Sequence, residues 1–236
     1  MKIPLILLSF LLAVSNTLAQ PVYQPPVTRS LMNYPDGGAF RILITSYGFG
    51  IGGLYRHQIS EDWAYQFESD ISPGKDDREV EEYDYWTDQV YTRNKINSLL
   101  LIPFQNVLHY RLFRASIQDN FRPFLSAGAG PLMGYVFPTT DDFFSGLGDG
   151  KAIWGVTGSV GFGADFGSNF GLIQGLAFRY TFNYLPDGVT LLRVPTRYRL
   201  PDDPPDANDR VRLVDRVHKT FHAFHLSLSI GKMWPR

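Results

Sequence analysis

Read in steps of two, long stretches of the chain sort bulky apolar residues from small ones. From Ile153 to Phe166 the even positions carry Trp154, Val156, Val160, Phe162 and Phe166, and the odd ones carry Gly155, Thr157, Ser159, Gly161, Gly163 and Asp165. After the turn Gly167-Ser168-Asn169-Phe170-Gly171 the pattern resumes. Leu172, Leu176, Phe178, Tyr180, Phe182 and Tyr184 oppose Gly175, Ala177, Arg179, Thr181 and Asn183. Successive side chains of a strand point to opposite faces, so this is a period-2 hairpin. The final stretch repeats it, with Phe224, Leu226, Leu228, Ile230 and Trp234 against Ala223, His225, Ser227, Ser229 and Gly231. Near the start, Tyr47, Phe49, Ile51 and Tyr55 alternate with Gly48, Gly50, Gly52 and Leu54, and Trp63, Tyr65 and Phe67 with Ala64, Gln66 and Glu68.

Seven strand segments are readable: roughly 39–57, 62–71, 96–112, 120–137, 152–167, 171–184 and 221–234. Leu99 to Ile102 is apolar on both faces. Pro103, Pro123 and Pro131 lack a ladder donor, so bulges or strand ends are expected near them. Phe40, Ile42 and Ile44 are out of phase with Tyr47, Phe49 and Ile51, which predicts a bulge or break near Thr45-Ser46. Short connections at 58–61, 113–119 and 168–170 alternate with long ones at 72–95, 138–151 and 185–220. An even strand count of at least eight is the rule for single-chain bacterial barrels. The eighth strand is therefore sought in Val27 to Tyr34, ahead of Pro35-Asp36-Gly37-Gly38; a strand within Val189 to Leu200 is the competing placement.

The face opposite the aromatics decides between two architectures. It is mainly Gly, Ala, Ser, Thr and Asn, too small and polar for a hydrophobic core and too poor in charge for a solvent surface. Such residues suit the inside of a narrow barrel, which leaves the bulky face to meet lipid and requires every backbone group to be paired within a closed sheet. The expected fold is all-β, a closed antiparallel up-and-down transmembrane barrel of eight strands. Trp154, Phe162, Phe178, Tyr180, Phe182, Phe224, Leu226, Leu228 and Ile230 are assigned to the lipid face. A soluble lipocalin-like carrier would place the same residues inside.

The amino terminus agrees with export. Lys2, the apolar run Ile3 to Val14 and a small-residue end at Ala19 read as a cleaved signal peptide, 1–19. Residues 20–38 then form a lead-in with a possible first strand, and 39–234 the barrel. With 22 Lys and Arg against 23 Asp and Glu, nothing drives binding to nucleic acid. The absence of cysteine excludes disulfides, thiolate metal sites and a cysteine nucleophile.

The signal peptide, the strand Arg122-Pro123-Phe124-Leu125-Ser126-Ala127-Gly128-Ala129-Gly130, the hairpin around Trp154 to Phe166 and the closing strand ending at Trp234 together resemble the small eight-stranded outer-membrane β-barrel proteins of Gram-negative bacteria, the group of the OmpA transmembrane domain and OmpX. The resemblance implies an outer-membrane location, lipid and lipopolysaccharide as surroundings, and the barrel assembly machinery as a partner. Members of the group commonly end on an aromatic residue, whereas Pro235 and Arg236 follow Trp234 here. A non-enzymatic, porin-like role in envelope integrity, adhesion or recognition follows, with no cofactor and no named external ligand.

Several constellations qualify that picture. The inward face carries Arg56, Glu68, Arg122, Asp165 and Arg179, which can pair as an ionic plug or line a gated ion path. His225 and Ser227 share that face one repeat apart. Some outer-membrane lipid A deacylases resemble this arrangement, so a lipid-modifying enzyme is the alternative, although no third group is evident to orient the histidine. His218 and His222 have metal-ligand spacing only on a helix, and this stretch reads as a strand. Lys75 to Asp88 mixes seven carboxylates with Tyr83, Tyr85 and Trp86 and reads as a solvated surface loop. Pro201 to Asp206 is a stiff polar spacer, and Phe143-Phe144 is a candidate knob or plug.

Overall fold

The computed structural model describes residues 30–86, 88–117, 120–139, 143–198 and 210–235. Ten strands run in chain order: β1 (Asp36–Thr45), β2 (Gly48–Gln58), β3 (Trp63–Gly74), β4 (Glu81–Asp84), β5 (Gln89–Thr92), β6 (Asn97–Arg111), β7 (Phe121–Pro138), β8 (Lys151–Phe166), β9 (Leu172–Tyr198) and β10 (Arg210–Trp234). A short helix, α1 (Phe143–Gly148), precedes β8, and a 3-10 turn, Leu31–Asn33, precedes β1. All ring neighbours are antiparallel. β1 pairs with β2 on one side and with β10 on the other, so eight strands close on themselves and leave β4 and β5 as a separate hairpin. Closure removes the sheet edges that an open arrangement would expose.

The eighth strand is β1, within the segment read from sequence as a single strand. Segment 39–57 is two strands joined at Ser46-Tyr47, and the phase change between Phe40, Ile42, Ile44 and Phe49, Ile51 is the mark of that turn. Both sets of side chains then point outward. Asp36, Gly37 and Gly38 belong to β1 rather than to a turn, so the barrel starts before residue 39. Of the expected strand Val27 to Tyr34, 31–33 form the 3-10 turn, and 27–29 lie outside the described residues, as does the signal segment 1–19.

The strand ends fall into two rings. Asp36, Gln58, Trp63, Arg111, Phe121, Phe166, Leu172 and Trp234 mark the terminal end, where connections are short. The opposite, loop end carries β4, β5, α1 and the tight Ser46-Tyr47 turn, and there β9 ends and β10 begins. The expected loop 185–220 is largely strand: β9 runs to Tyr198 and β10 starts at Arg210. Their pairing shifts register between His218 and Thr220, opposite Leu185-Pro186-Asp187-Gly188, and again between Asp215 and Val217. Gly188 supplies the positive φ of 69° that this bulge requires. Pro103 and Pro131, where bulges were expected, keep their register with β7 and β8. Pro123 lies two residues into β7, near a strand end as anticipated.

Past Tyr184, β9 leaves β8 and crosses to the start of β6. Ile96 donates to the Leu191 carbonyl at 2.8 Å, and Arg193 donates to that of Asn94 at 3.0 Å. The Asn97 side chain donates to the Thr190 carbonyl at 2.7 Å. This crossing lays Leu185, Val189 and Leu191 on Leu99, Leu101, Leu132 and Phe221, all buried, and forms an apolar cap inside the loop end. Burying a full Leu or Phe side chain stabilises by ~1.5–3 kcal/mol, so the cap is a substantial closure. A smaller apolar foot, Leu54, Ile173 and Met233, sits at the terminal end.

Candidate functional site: the charged lumen and its two ends

Between cap and foot the lumen is polar. In β3 the even positions Gln66, Glu68, Asp70 and Ser72 are buried; in β9 Arg179, Thr181 and Asn183; in β1 Arg41. Small residues on the facing strands make room for them. An alanine Cβ at Gly52 would stand 2.1 Å from Asp70 Oδ1 and 2.5 Å from the Ser69 carbonyl. Glycine on β2 is therefore what lets the Asp70 carboxylate lie beside that strand.

The ion pairs are layered. At mid-barrel Glu68 accepts from both Arg41 and Arg179, the second contact including Nη2 to Oε1 at 3.1 Å. Arg41 also reaches Asp70 at 3.2 Å. Nearer the terminal end Arg56 grips Asp165 at 2.6 Å. Gln66 joins the layers: with its amide nitrogen towards Glu68 and His109, it donates to Glu68 Oε1 at 2.7 Å and His109 Nε2 at 2.8 Å, while its oxygen accepts from Arg56 Nη2 at 2.7 Å. Towards the loop end Gln105 bridges Thr157 at 2.8 Å and Ser159 at 2.9 Å. A buried charge survives when it is paired, and these groups are ion-paired across five strands, although Asp70 Oδ1 and the Nε atoms of Arg41 and Arg179 lack a hydrogen-bond partner.

All five interior charges read from the sequence lie inside. Arg56 pairs with Asp165 and Glu68 with Arg179, and Arg122 donates to the Gly167 carbonyl at 2.5 Å with its guanidinium 5.1 Å over the Phe170 ring. Sequence reading missed Arg41, Asp70, His109 and Arg111. Asp70 continues the even register of Glu68, and Arg41 becomes visible once β1 is separated from β2. The room left by the network is small: cavities of about 10 Å³ beside Glu68 and about 20 Å³ beside Asp70 flank the mid-barrel pairs. A water needs ~10–15 Å³, so the interior is filled at that level, as an eight-stranded barrel should be.

The outer face is the reverse. Trp154, Phe162, Phe224 and Ile230 are each more than half exposed, Phe178, Phe182, Leu226 and Leu228 are exposed, and Tyr180 is half-buried. They form a ladder of ring contacts: Phe162 to Phe178 with centroids 5.7 Å apart, Phe178 to Phe224 at 5.7 Å and Phe224 to Tyr180 at 5.2 Å. The lipocalin-like alternative, with these rings inside, is overturned by this placement.

The two residues of the catalytic alternative lie on the lumen side of the wall. Ser227 is 2 % exposed, its hydroxyl faces the Ala177 carbonyl at 3.5 Å, and His225 points into the same lumen beneath the cap. His218 and His222 do not converge: His218 lies 3.5 Å from Asp76 against Phe221, and His222 meets the Tyr180 hydroxyl on the outer face at 2.6 Å. Among the described residues no three His, Asp or Glu side chains gather as a metal site.

The acidic segment at the loop end is built rather than loose. Asp76 is buried and accepts from the Arg78 backbone at 3.1 Å, and Glu79 holds Lys95 at 2.7 Å. β4 and β5 then raise a hairpin whose turn exposes Tyr85 and Trp86 almost completely. Tyr47, at the tight turn beside the cap, has its phenol raised above the ordinary value by burial and by the Asp77 carboxylate. The spacer 201–206 lies outside the described residues, and of the Phe143-Phe144 pair only its place at the start of α1 is described.

No protein-family model matches the chain, and no curated protein matches it in sequence. Among solved structures the chain is similar to neisserial surface protein A, with 11% identity, a TM-score of 0.42 and coverage of 84% of this chain and 94% of that one. It is similar to the outer membrane protein OprG of Pseudomonas aeruginosa at 13% identity and a TM-score of 0.38, covering 86% and 98%. For the N-terminal β-barrel domain of OprF from the same organism the values are 9% and 0.35, covering 82% and 96%. These are small outer-membrane barrels, the group that the sequence resembles.

Proposed function

We propose that this chain is an outer-membrane β-barrel protein without a through-going pore, which presents the structured segments of its loop end to the exterior in a role of envelope integrity, adhesion or recognition. The observation that carries the reading is the pairing of an exposed aromatic and aliphatic outer wall with a polar, ion-paired lumen. Such a wall is costly in water, where large apolar patches are rare on monomeric proteins. In hydrocarbon it is the expected surface, and the closed sheet satisfies the backbone there. No helix among the described residues is long and apolar enough to cross a membrane.

In this reading residues 1–19 direct export and are removed, the terminal end faces the periplasm, and lipid, lipopolysaccharide and the barrel assembly machinery are the partners during insertion and afterwards. The apolar cap and the Glu68 cluster each obstruct the axis, which argues for display over diffusion. Fractionation of producing cells tests the proposal. The mature chain is expected in the outer-membrane fraction, running faster on a gel before boiling than after it. Recovery in the soluble periplasm without detergent would overturn the assignment.

A further inference from the structure

Between the Glu68 cluster and the apolar cap the lumen encloses a small chamber whose polar groups outnumber their partners. Arg41, Asp70, Arg179, Asn183 and His225 line it, and Leu101 belongs to both the chamber and the cap. Each of those five polar residues carries a buried atom with no hydrogen-bond partner among the described residues: Nε of Arg41 and of Arg179, Oδ1 of Asp70 and of Asn183, and Nε2 of His225. Arg41, Asp70, Arg179 and Asn183 are each no more than 7 % exposed, so bulk solvent does not serve these atoms. A buried donor or acceptor left unpaired costs its full desolvation. Five such residues around one cavity call for a single occupant rather than for five separate explanations.

Chemistry and size select that occupant. The guanidinium Nε atoms can only donate, and the carboxylate and amide oxygens can only accept, so the guest must do both. A halide would leave the two oxygens unserved and meet the Asp70 carboxylate. A metal cation would offer nothing to the arginines and meet two guanidinium charges. The charges around the chamber are already even, Arg41 and Arg179 being paired with Glu68 and Asp70. A neutral guest therefore adds no uncompensated buried charge. The cavity measures about 20 Å³, against the ~10–15 Å³ that one water needs. Two orphaned donors and two orphaned acceptors match the four hydrogen bonds of one water molecule, while His225 Nε2 takes either role according to its tautomer.

We propose that this chamber is a binding site for a single ordered water molecule, which completes the hydrogen bonding of the mid-barrel ion pairs. It accepts from Arg41 and Arg179 and donates to Asp70 and Asn183. The water thereby ties β1 and β3 to β9 across the lumen, where β3 and β9 are not neighbours in the sheet. The site does not depend on what surrounds the outer wall. The cap closes it on the loop side and the Glu68 cluster on the other, so exchange with bulk water waits for a local opening, on the order of microseconds or slower.

Oxygen-17 relaxation dispersion of water, recorded on the full barrel refolded in detergent, detects molecules held for longer than the particle takes to tumble. Asn183→Leu removes one acceptor and puts a larger apolar side chain into the chamber, and its folded form is expected to lose one long-lived water relative to the wild type. Arg193→Gln, whose side chain pairs with Asp215 on the exposed β9–β10 hairpin, should keep that water. A high-resolution crystal structure of the wild type should show one water peak within hydrogen-bond distance of Asp70 Oδ1 and Asn183 Oδ1. That crystal structure still decides should Asn183→Leu fail to fold. Equal dispersion from the wild type and folded Asn183→Leu, or a chamber that is dry or holds an ion in the crystal, overturns the proposal.

Discussion

At the scale of single residues, Glu68 is the side chain on which the lumen depends most. It accepts from Arg41 and Arg179, and His109 stands 4.0 Å away. Replacing it with Gln leaves two buried guanidinium groups with one carboxylate, Asp70, between them. Breaking a buried pair from one side costs ~3–5 kcal/mol, so Glu68→Gln is expected to lower the free energy of unfolding from micelles by that amount, read as a lower urea midpoint. An unchanged midpoint would mean that water screens the cluster. Gly52 gives a second, independent reading of the same site. The methyl of Gly52→Ala would collide with Asp70 Oδ1 and the Ser69 carbonyl, and overpacking of this kind costs ~1–3 kcal/mol. Equilibrium unfolding of that variant should show a loss in this range, whereas Gly53→Ala, with only the Ala39 carbonyl at 3.7 Å, should be close to neutral.

At the scale of elements, the structure separates what periodicity can show from what it cannot. The alternation in β8, β10 and the barrel portion of β9 places every ring named for the outer face outside the barrel, because each of those strands has one bulky and one small face. β1 and β2 were concealed by the brevity of their turn. Ser46-Tyr47 has neither an Asn-Gly nor an Asp-Gly signature, and the phase flip of the apolar residues is its only trace. Conversely, Pro186-Asp187-Gly188 has turn chemistry but serves as a bulge inside a long strand. The two apolar faces at Leu99 to Ile102 were ambiguous for a related reason. Leu99 and Leu101 face inward because the crossing β9 segment covers them, a long-range contact that no local pattern announces. That contact has a consequence for the loop end. Leu191→Ala should cost ~2–5 kcal/mol in the cap and should raise amide exchange at 185–192 relative to the mid-barrel strands. Exchange that stays as slow as in the wild type would show that the hydrogen bonds to Asn94, Ile96 and Asn97 suffice without the apolar contact.

At the scale of the whole molecule, the chain combines two solvents in one wall. The inside behaves as a compact polar core with its charges paired at mid-height, and the outside is an apolar wall. The two ends differ in the same sense as their connections: short turns and a small cavity lined by Arg56, Asp62 and Asp165 at one, the cap, the acidic segment and the β4–β5 hairpin at the other. This polarity was legible in the sequence as alternating connection lengths, although the length of the β9–β10 hairpin was not. Proteases added to intact cells should cut within 75–96, 139–150 or 199–209 and spare 59–62, 112–120 and 167–171. Cleavage of the second group with the cells intact would invert the orientation proposed here.

The natural absence of cysteine makes the central claim directly measurable. Single variants Phe162→Cys, Phe178→Cys and Leu228→Cys, each carrying an environment-sensitive fluorophore in a reconstituted bilayer, report what the outer wall touches, with Tyr85→Cys as the loop-end reference. Labels at 162, 178 and 228 are expected to emit to the blue and to be quenched by a lipid-borne quencher, while the label at 85 responds to an aqueous one. If the three wall positions are quenched from the water and not from the lipid, the barrel does not stand in a membrane.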